Sequence, residues 1–439
     1  MKQHFLLNII SAGIANAACR AGNRTSTAPF YAVTNATSYS LSYSPGATNY
    51  SPSVSPTITK SHSSTLSSVT ITTSVTSSAA TTYTAVPSVI GTAEGFASGV
   101  TGGGNASPVY PADVDELVAL LGSDEPQVIV LNRTYDFVGT EGTTTDLGCA
   151  PFGTIEEGCQ LAINAVNYCG DNANVTITYD TAAGNPIYVH SNKTLIGLGS
   201  SGVIRGKGLY MTGVSNIIIQ NIHITELNPM FVWGGDALTM YGTDLLWIDH
   251  TSNIGRQHYV TGFNPNTRMT WSNNFINGHT NYSATCNGHH YWTLELLGTG
   301  DQITFLNNYV YMTSGRSPAL SGATLFHAVN SVWAQNSGHA LEGGSTVGGL
   351  FEGCVFDNVT QIVGDDITIP LFSTNSSISN DCVAKLGRPC EVNDYANSGT
   401  FNRSDTSFFD SFDGLTVAAP VSVDEVLANV PSKCGIGQL

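Results

Sequence analysis

The sequence predicts an all-β chain wound as a right-handed, single-stranded parallel β-helix with long loops on one face. Three observations carry that reading. First, an apolar β-rich run followed by Asn, Asp or Gly recurs between Asn216 and Val359. It appears as Ile217-Ile-Ile-Gln-Asn221, Leu245-Leu-Trp-Ile-Asp249, Met269-Thr-Trp-Ser-Asn273, Ile303-Thr-Phe-Leu-Asn307, Leu325-Phe-His-Ala-Val-Asn330 and Leu350-Phe-Glu-Gly353. Second, the ends of these runs lie 28, 24, 34, 23 and 23 residues apart, a floor near 23 that suits rungs of constant length carrying inserted loops. Third, 46 Gly, only 11% charged residues and no alternation of strands with long amphipathic helices suit turn-rich β-structure. A β-propeller needs blades of about 40 residues with hairpin turns, and that period is missing.

Residues 1–17 combine a short charged start, an apolar run and an Ala-Asn-Ala17 end, the pattern of a secretory signal peptide. Residues 18–86 form a Ser/Thr-rich stretch, half Ser or Thr from Thr25 to Val86. It has too little apolar surface to offset the entropy of ordering, so a disordered, O-glycosylated stalk is expected. The folded domain is expected over residues 87–439. Gly95 to Gly104 opens it, Asp113 to Leu121 reads as a capping helix with apolar Val114, Leu117, Val118 and Leu121 at helical spacing, and Val128 to Leu131 as a strand. The recurring runs then supply the rungs. Their Trp247, Trp271, Phe305 and Trp333 are read as interior residues. At equal positions in successive rungs, Asn side chains are expected to stack and hydrogen-bond along the axis.

The formal net charge is −17, and residues 1–86 hold four basic residues and no acid, which leaves 11 basic against 32 acidic residues in the domain. Such a field repels polyanions, so nucleic acid is excluded as a partner and an unesterified polycarboxylate is disfavoured. No apolar run beyond the leader is long enough for a bilayer, so a soluble exported monomer with no membrane association is expected. Nine cysteines in an exported chain imply disulfides, with Cys19 beside the cleavage site and no CxxC spacing of a zinc site.

Chemistry concentrates in Trp233-Gly-Gly-Asp236, in Arg256-Gln-His258, in Asn287-Gly-His-His-Tyr291-Trp292 and in Ser314-Gly-Arg316-Ser-Pro318. The first two adjoin short β-rich runs, which places their side chains at strand ends, and the two glycines are read as letting backbone approach a ligand. The longest span over two rungs runs from Asp249 to Asn307, so the loops that build a cleft are expected there. His250, His258, His289 and His290 lack HExxH or carboxylate-bracketed spacing, and no metal and no cofactor are expected.

From about Val128 to Asp413 these motifs resemble the fungal pectin lyases of the pectate lyase superfamily. The resemblance implies the parallel β-helix and the eliminative cleavage of methyl-esterified homogalacturonan: loss of the C5 proton beside the ester carbonyl and departure of the oxygen from C4. It implies Arg316 as catalytic arginine, Arg256 in the place that a calcium ion takes in pectate lyases, and Asp236 as its partner. It also implies Trp233, Tyr291 and Trp292 as an aromatic cleft, with Phe152 and Tyr168 standing where similar proteins carry further tryptophans. The disulfides it implies are Cys149–Cys169, Cys159–Cys286 and Cys382–Cys390. Arg316-Ser-Pro-Ala319 departs from the family's usual Arg-x-Pro-Lys. That departure keeps open a catalytically impaired pectin-binding β-helix, beside a calcium-dependent pectate lyase. A glycoside hydrolase needs clustered carboxylates, and the sequence flanking Arg316 shows none.

Overall fold

The computed structural model describes residues 88–253, 257–365 and 367–439. The expected leader at 1–17, the stalk at 18–86 and Arg256 lie outside the described residues. From Ala85 onward the chain forms one compact unit. It is a parallel β-helix, as the periodicity requires.

Ten parallel strands make the first face, running from Pro108–Val109 through Ser215–Gln220, Asp244–Asp249, Thr267–Ser272, Gln302–Leu306, Leu325–Val329 and Gly348–Glu352 to Leu371–Ser373. A second face stacks Thr134–Asp136, Val203–Arg205, His223–Thr225, Phe275–Asn277 and Tyr309–Tyr311. The third stacks Ile187–Tyr188, Leu209–Thr212, Asp236–Tyr241, Gln257–Thr261, Leu294–Leu296 and Ala319–Leu320. The long strand Val332–Gly343 belongs to both of these faces, pairing Val332 with Tyr309 at one end and Glu342 with Ala319 at the other.

Register fixes the interior. Ile219, Ile248, Trp271, Phe305, Ala328 and Phe351 lie in one row of successive rungs, all buried. Trp333 is interior as well and stacks on Phe356 with ring centroids 5.1 Å apart. Trp247 corrects the expectation: it is in register with Ile218 and Thr270, points outward, and is buried instead under residues 88–104 with Ala93 and Ala97. Alternating residues of the first face point outward, and a strap over residues 88–104 covers them. Phe96 and Ala97 donate their amides to the hydroxyls of Thr304 and Thr270, and Gly103 donates to Thr194. A side chain at Gly95 would lie 2.4 Å from the Thr304 hydroxyl, so this contact admits only glycine.

Two expectations shift by one residue. The turn after each first-face strand holds Asn221, His250, Asn273, Asn307, Asn330 and Gly353 in the left-handed region, where Asn and Gly cost least. Asp249 is not in that set: it pairs with Gln220 and Ser272, and His250 takes the turn place. Nor do the turn asparagines form the axial ladder. From His250 to Asn330 the residue after each turn position, fully buried, does so. The Thr251 amide donates to Asn274 Oδ1 (2.8 Å), the Asn274 amide to Asn308 Oδ1 (2.9 Å), and the Asn308 amide to Ser331 Oγ (3.0 Å). In the capping helix Val114–Leu121, Asp113 caps the N-terminus by accepting from the Glu116 amide. Val118 of that helix is exposed rather than packed.

An insertion at 137–186, which the spacing of the runs did not reveal, builds a separate small sheet. Thr143–Cys149 and Asn174–Asp180 pair antiparallel there, and Leu161–Ile163 pairs with Phe231–Val232. The disulfides are Cys149–Cys169, Cys159–Cys286 and Cys382–Cys390; Cys354 and Cys434 are free.

Buried charge is concentrated at Glu352, which takes two hydrogen bonds from the Arg388 guanidinium and one from His327 Nε2. Burial alone raises its pKa, and these donors, Arg388 before His327, override burial and bring it to about 2. A carboxylate with a depressed folded pKa stabilises fully above its ordinary range, and that stability is lost as pH falls toward 2. Glu352→Gln is expected to lower stability at neutral pH by a few kcal/mol, on the order of 3, and to flatten the acid limb of the stability profile. Denaturant unfolding from pH 7 down to pH 3 checks this; an unchanged acid slope would refute it.

Candidate active site

The reactive side chains gather where third-face strands begin. Asp236 is the first residue of its strand and pairs in register with Gln257, the residue after Arg256. Trp292 lies two residues before Leu294–Leu296, and Arg316 three before Ala319–Leu320. Parallel stacking therefore brings together groups that are 80 residues apart in sequence, from Asp236 to Arg316. Its rungs lie about 4.8 Å apart.

Arg316 sits in the left-handed region (φ 45°). Its carbonyl accepts from the Leu294 amide, and the Ser317 amide donates to the Ala340 carbonyl, so the backbone on both sides is held by the sheet. That rigid frame aims the guanidinium over the face of Trp292, 4.8 Å from the ring centroid, with Tyr291 at 5.9 Å. Nη1 is hydrogen-bonded to Glu295 Oε2 and Nε donates to Glu342 Oε1 at 2.9 Å. Glu342 is held in turn by the Tyr291 hydroxyl (2.7 Å) and by His339 Nε2.

These two carboxylates correct the reading that the surroundings of Arg316 hold none. They escaped notice because they are 21 and 26 residues away in the chain. In space they are its nearest partners. Glu295, Ala319 and Glu342 are register partners on three successive rungs, so Ala319 lies between the two acids and the guanidinium bridges them. The signal was available: adding one rung to 295 gives 319, and one more gives 342.

The carboxylates also decide the charge of Arg316. Burial lowers its pKa, yet Glu295 and Glu342 more than reverse this, and the net shift is upward. Glu342 behaves in mirror image: burial raises its pKa, and His339, Arg316 and Tyr291 bring it below the ordinary value. Burial, then Glu342, pushes the Tyr291 phenol far up. At neutral pH the centre therefore holds the Arg316 cation beside the Glu342 anion, with Glu295 hydrogen-bonded to the same guanidinium.

All five aromatics expected of the cleft join one cluster around the Cys149–Cys169 disulfide. Tyr168 meets Trp233 edge-on at 6.1 Å, and Phe152 tilts against Trp292 at 6.4 Å, so the 137–186 insertion supplies one wall. Trp292 is only 8% exposed and its Nε1 donates to Gln160, which makes it a support for the guanidinium rather than an open stacking face. Gly234 and Gly235 also differ from expectation. Side chains there would collide with the Asn228 and Ala183 carbonyls, both at 2.5 Å, so these glycines admit the chain's own backbone rather than a ligand.

The histidines belong to the frame. His250 bonds Asp249, His289 the Asn287 carbonyl and His290 the Trp292 carbonyl. His258 is fully buried, and burial, with His290 beside it, holds its imidazole well below the ordinary pKa and therefore neutral. Among the described residues no cluster of three His, Cys, Asp or Glu could hold a metal ion.

The model of the family described as "Pectate lyase" matches residues 160–439. A probable pectin lyase C from Aspergillus niger is 61% identical over 354 residues, 80% of this chain and 95% of that protein. Pectin lyase A of Emericella nidulans is 52% identical and covers 79% of this chain and 93% of its own length. Among solved structures, a pectate lyase from Paenibacillus sp. 0602 superposes with a TM-score of 0.52 at 15% identity, covering 79% of this chain and 96% of that one. A pectate lyase from Bacillus sp. N165, solved with trigalacturonate, gives 0.50 at 19% identity over 79% and 99%.

Tyr291 and Gly315 give a direct check on this geometry. A β-carbon at Gly315 would lie 2.3 Å from the Tyr291 ring. Gly315→Ala is expected to cost about 1–3 kcal/mol through overpacking and to lower the melting temperature by several degrees. A variant that melts like the parent would show that the ring does not occupy this place.

Proposed function

The chain belongs to the pectate lyase family and, within it, groups with the fungal pectin lyases; from that premise we propose that it is a secreted, calcium-independent pectin lyase. Its substrate is methyl-esterified homogalacturonan, cut within the chain to give 4,5-unsaturated products. The observation that carries the reading is the Arg316 guanidinium, clamped by Glu295 and Glu342 over Trp292, at the foot of an aromatic wall. The identity of 61% with a protein named as a pectin lyase supports the same conclusion.

Elimination removes the C5 proton, forms the C4–C5 double bond from those electrons and releases the glycosidic oxygen from C4. Negative charge grows on the ester carbonyl as the proton leaves, and a preorganised cation at that point lowers the barrier. Arg316 fills this role as guanidinium, since two carboxylates hold its proton in place. Glu295 and Glu342 stand beside the cation as candidate proton acceptors, a role that the guanidinium itself cannot fill while it stays charged. Arg256 adds a second cation by its sequence position, one residue before the register partner of Asp236. The ester removes the substrate's own charge, so a centre holding Glu295, Glu342 and Asp236 does not repel it. Aromatic faces of Trp233 and Tyr291, with Tyr168 and Phe152 behind them, suit apolar sugar faces and methyl groups.

Ala319 leaves this arrangement intact. It is buried between the two acids, and the charge that the family's lysine brings to this place is supplied by the bridging guanidinium. The 1–17 leader sends the chain out of the cell, and the 18–86 stalk stands before the catalytic domain. Among the described residues no helix is long and apolar enough to cross a membrane.

The test is the ultraviolet absorbance of unsaturated product from highly methylated pectin and from polygalacturonate, each with and without chelator. Activity is expected on methylated pectin, indifferent to chelator. Arg316→Ala is expected to lower kcat roughly 10²- to 10³-fold, the scale of a lost charge-stabilising donor. Arg316→Lys recovers little, because an ammonium cannot span both carboxylates. Chelator-sensitive activity confined to polygalacturonate would overturn the assignment.

A further inference from the structure

The outward row that carries Glu295, Ala319 and Glu342 does not end at the catalytic centre. Followed rung by rung in the other direction, it runs from Glu295 to Val260, Thr239, Tyr210 and Tyr188. Neighbours on either side of each position, such as Leu209 and Met211 or Leu238 and Met240, are fully buried, which confirms that the row faces outward. Its far end is aromatic. Tyr188 is 56% exposed and meets the half-buried Tyr210 edge-on at 5.3 Å. Tyr241 flanks them on the next rung, in register with Thr212. Its ring lies over Gly262, where a β-carbon would come within 1.9 Å of the ring, so the position of Tyr241 is built into the strand.

We infer that Tyr188 and Tyr210 form a distal sugar-binding platform that holds a remote part of the same methyl-esterified galacturonan whose scissile bond lies at Arg316. This rests on the pectin lyase reading. Continuity carries it: the tyrosines stand on the same face of the same sheet as the two carboxylates that clamp the guanidinium. With rungs about 4.8 Å apart, Tyr210 and Tyr188 lie about 14 and 19 Å from Glu295 along the axis. That is some three to four sugar units of an extended chain, at about one unit per rung. None of the four positions before Glu295 in the row is charged. A neutral, esterified stretch is therefore accepted, and exposed phenol faces suit the apolar faces of pyranose rings.

The platform predicts dependence on chain length. Tyr188→Ala and the Tyr188→Ala/Tyr210→Ala pair are compared with the parent on methyl-esterified oligogalacturonides of three units, of eight or more units, and on polymer. On long chains KM is expected to rise roughly five- to tenfold, the scale of a lost aromatic contact. The value of kcat stays level, and kcat/KM on the short oligomers stays within twofold. Tyr188→Phe retains parental behaviour. Equal effects on short and long chains, or no effect on either, would overturn the platform.

A readout independent of turnover separates this from the lyase reading. Electrophoresis through gels containing highly methylated pectin is expected to retard Arg316→Ala, and to retard it less once Tyr188 and Tyr210 are also removed. A parent that makes no unsaturated product, yet loses retardation with the tyrosines, would reject the lyase reading and keep the platform. An active parent whose retardation ignores the tyrosines would reject the platform and keep the lyase reading.

Discussion

Everything in this molecule depends on parallel rung-to-rung hydrogen bonding, which sets each residue directly above its counterpart one rung away. A parallel sheet of this kind tolerates no slip, since a shift of one residue would turn the interior row outward. The interior responds by changing size along the axis: Ile219 and Ile248 occupy the row in early rungs, Trp271 and Phe305 follow, and Ala328 precedes Phe351. The buried Thr251, Asn274, Asn308 and Ser331 ladder then pins the turns, the last three side chains each satisfying an amide of the rung before it. Unsatisfied, such buried amides would each cost about 1–3 kcal/mol.

The same register that builds the core also builds the reactive centre. Placing two carboxylates and a guanidinium in a half-enclosed site is costly unless every charge is met. Here each is met more than once. Glu342 has Arg316, Tyr291 and His339, and Arg316 has Glu295, Glu342 and the face of Trp292. Glu352 with Arg388 and His327 follows the same rule beside the first face, where Phe96 of the strap and Phe412 close over the imidazole. Charges in this protein are buried in satisfied sets, which is how a chain with few of them keeps them ordered.

Periodicity made the rungs legible because their ends must adopt a left-handed turn that favours Asn or Gly. It failed at Asp249, where His250 takes the turn and the acid falls one residue early, a difference that composition cannot show. Arg316 and the aromatics were visible as motifs, since each lies in a short stretch of unusual residues. Glu295 and Glu342 were not, because each is a single acid in an ordinary strand whose importance comes only from the rung it occupies. The 137–186 sheet was hidden for a related reason: its antiparallel pairs do not repeat the rung length. Long-range register therefore carries what local pattern leaves out, and a solenoid is the architecture in which register can be counted from sequence once one rung is fixed.

The bridged arginine also bears on the proposed chemistry, in which a side chain that is always protonated works beside a proton transfer. Cations crowded around an arginine would depress its pKa and favour a role as base. The geometry around Arg316 has the opposite sign, with an acid on each side and an alanine between them. A lysine in the place of Ala319 would compete for the same carboxylates and loosen their hold on Arg316. With alanine there, the guanidinium is fixed in position and in charge, so the contribution proposed for it is electrostatic and present before substrate arrives. Preorganised charge of that kind needs no rearrangement as the reaction proceeds, which is where its advantage over solvent lies.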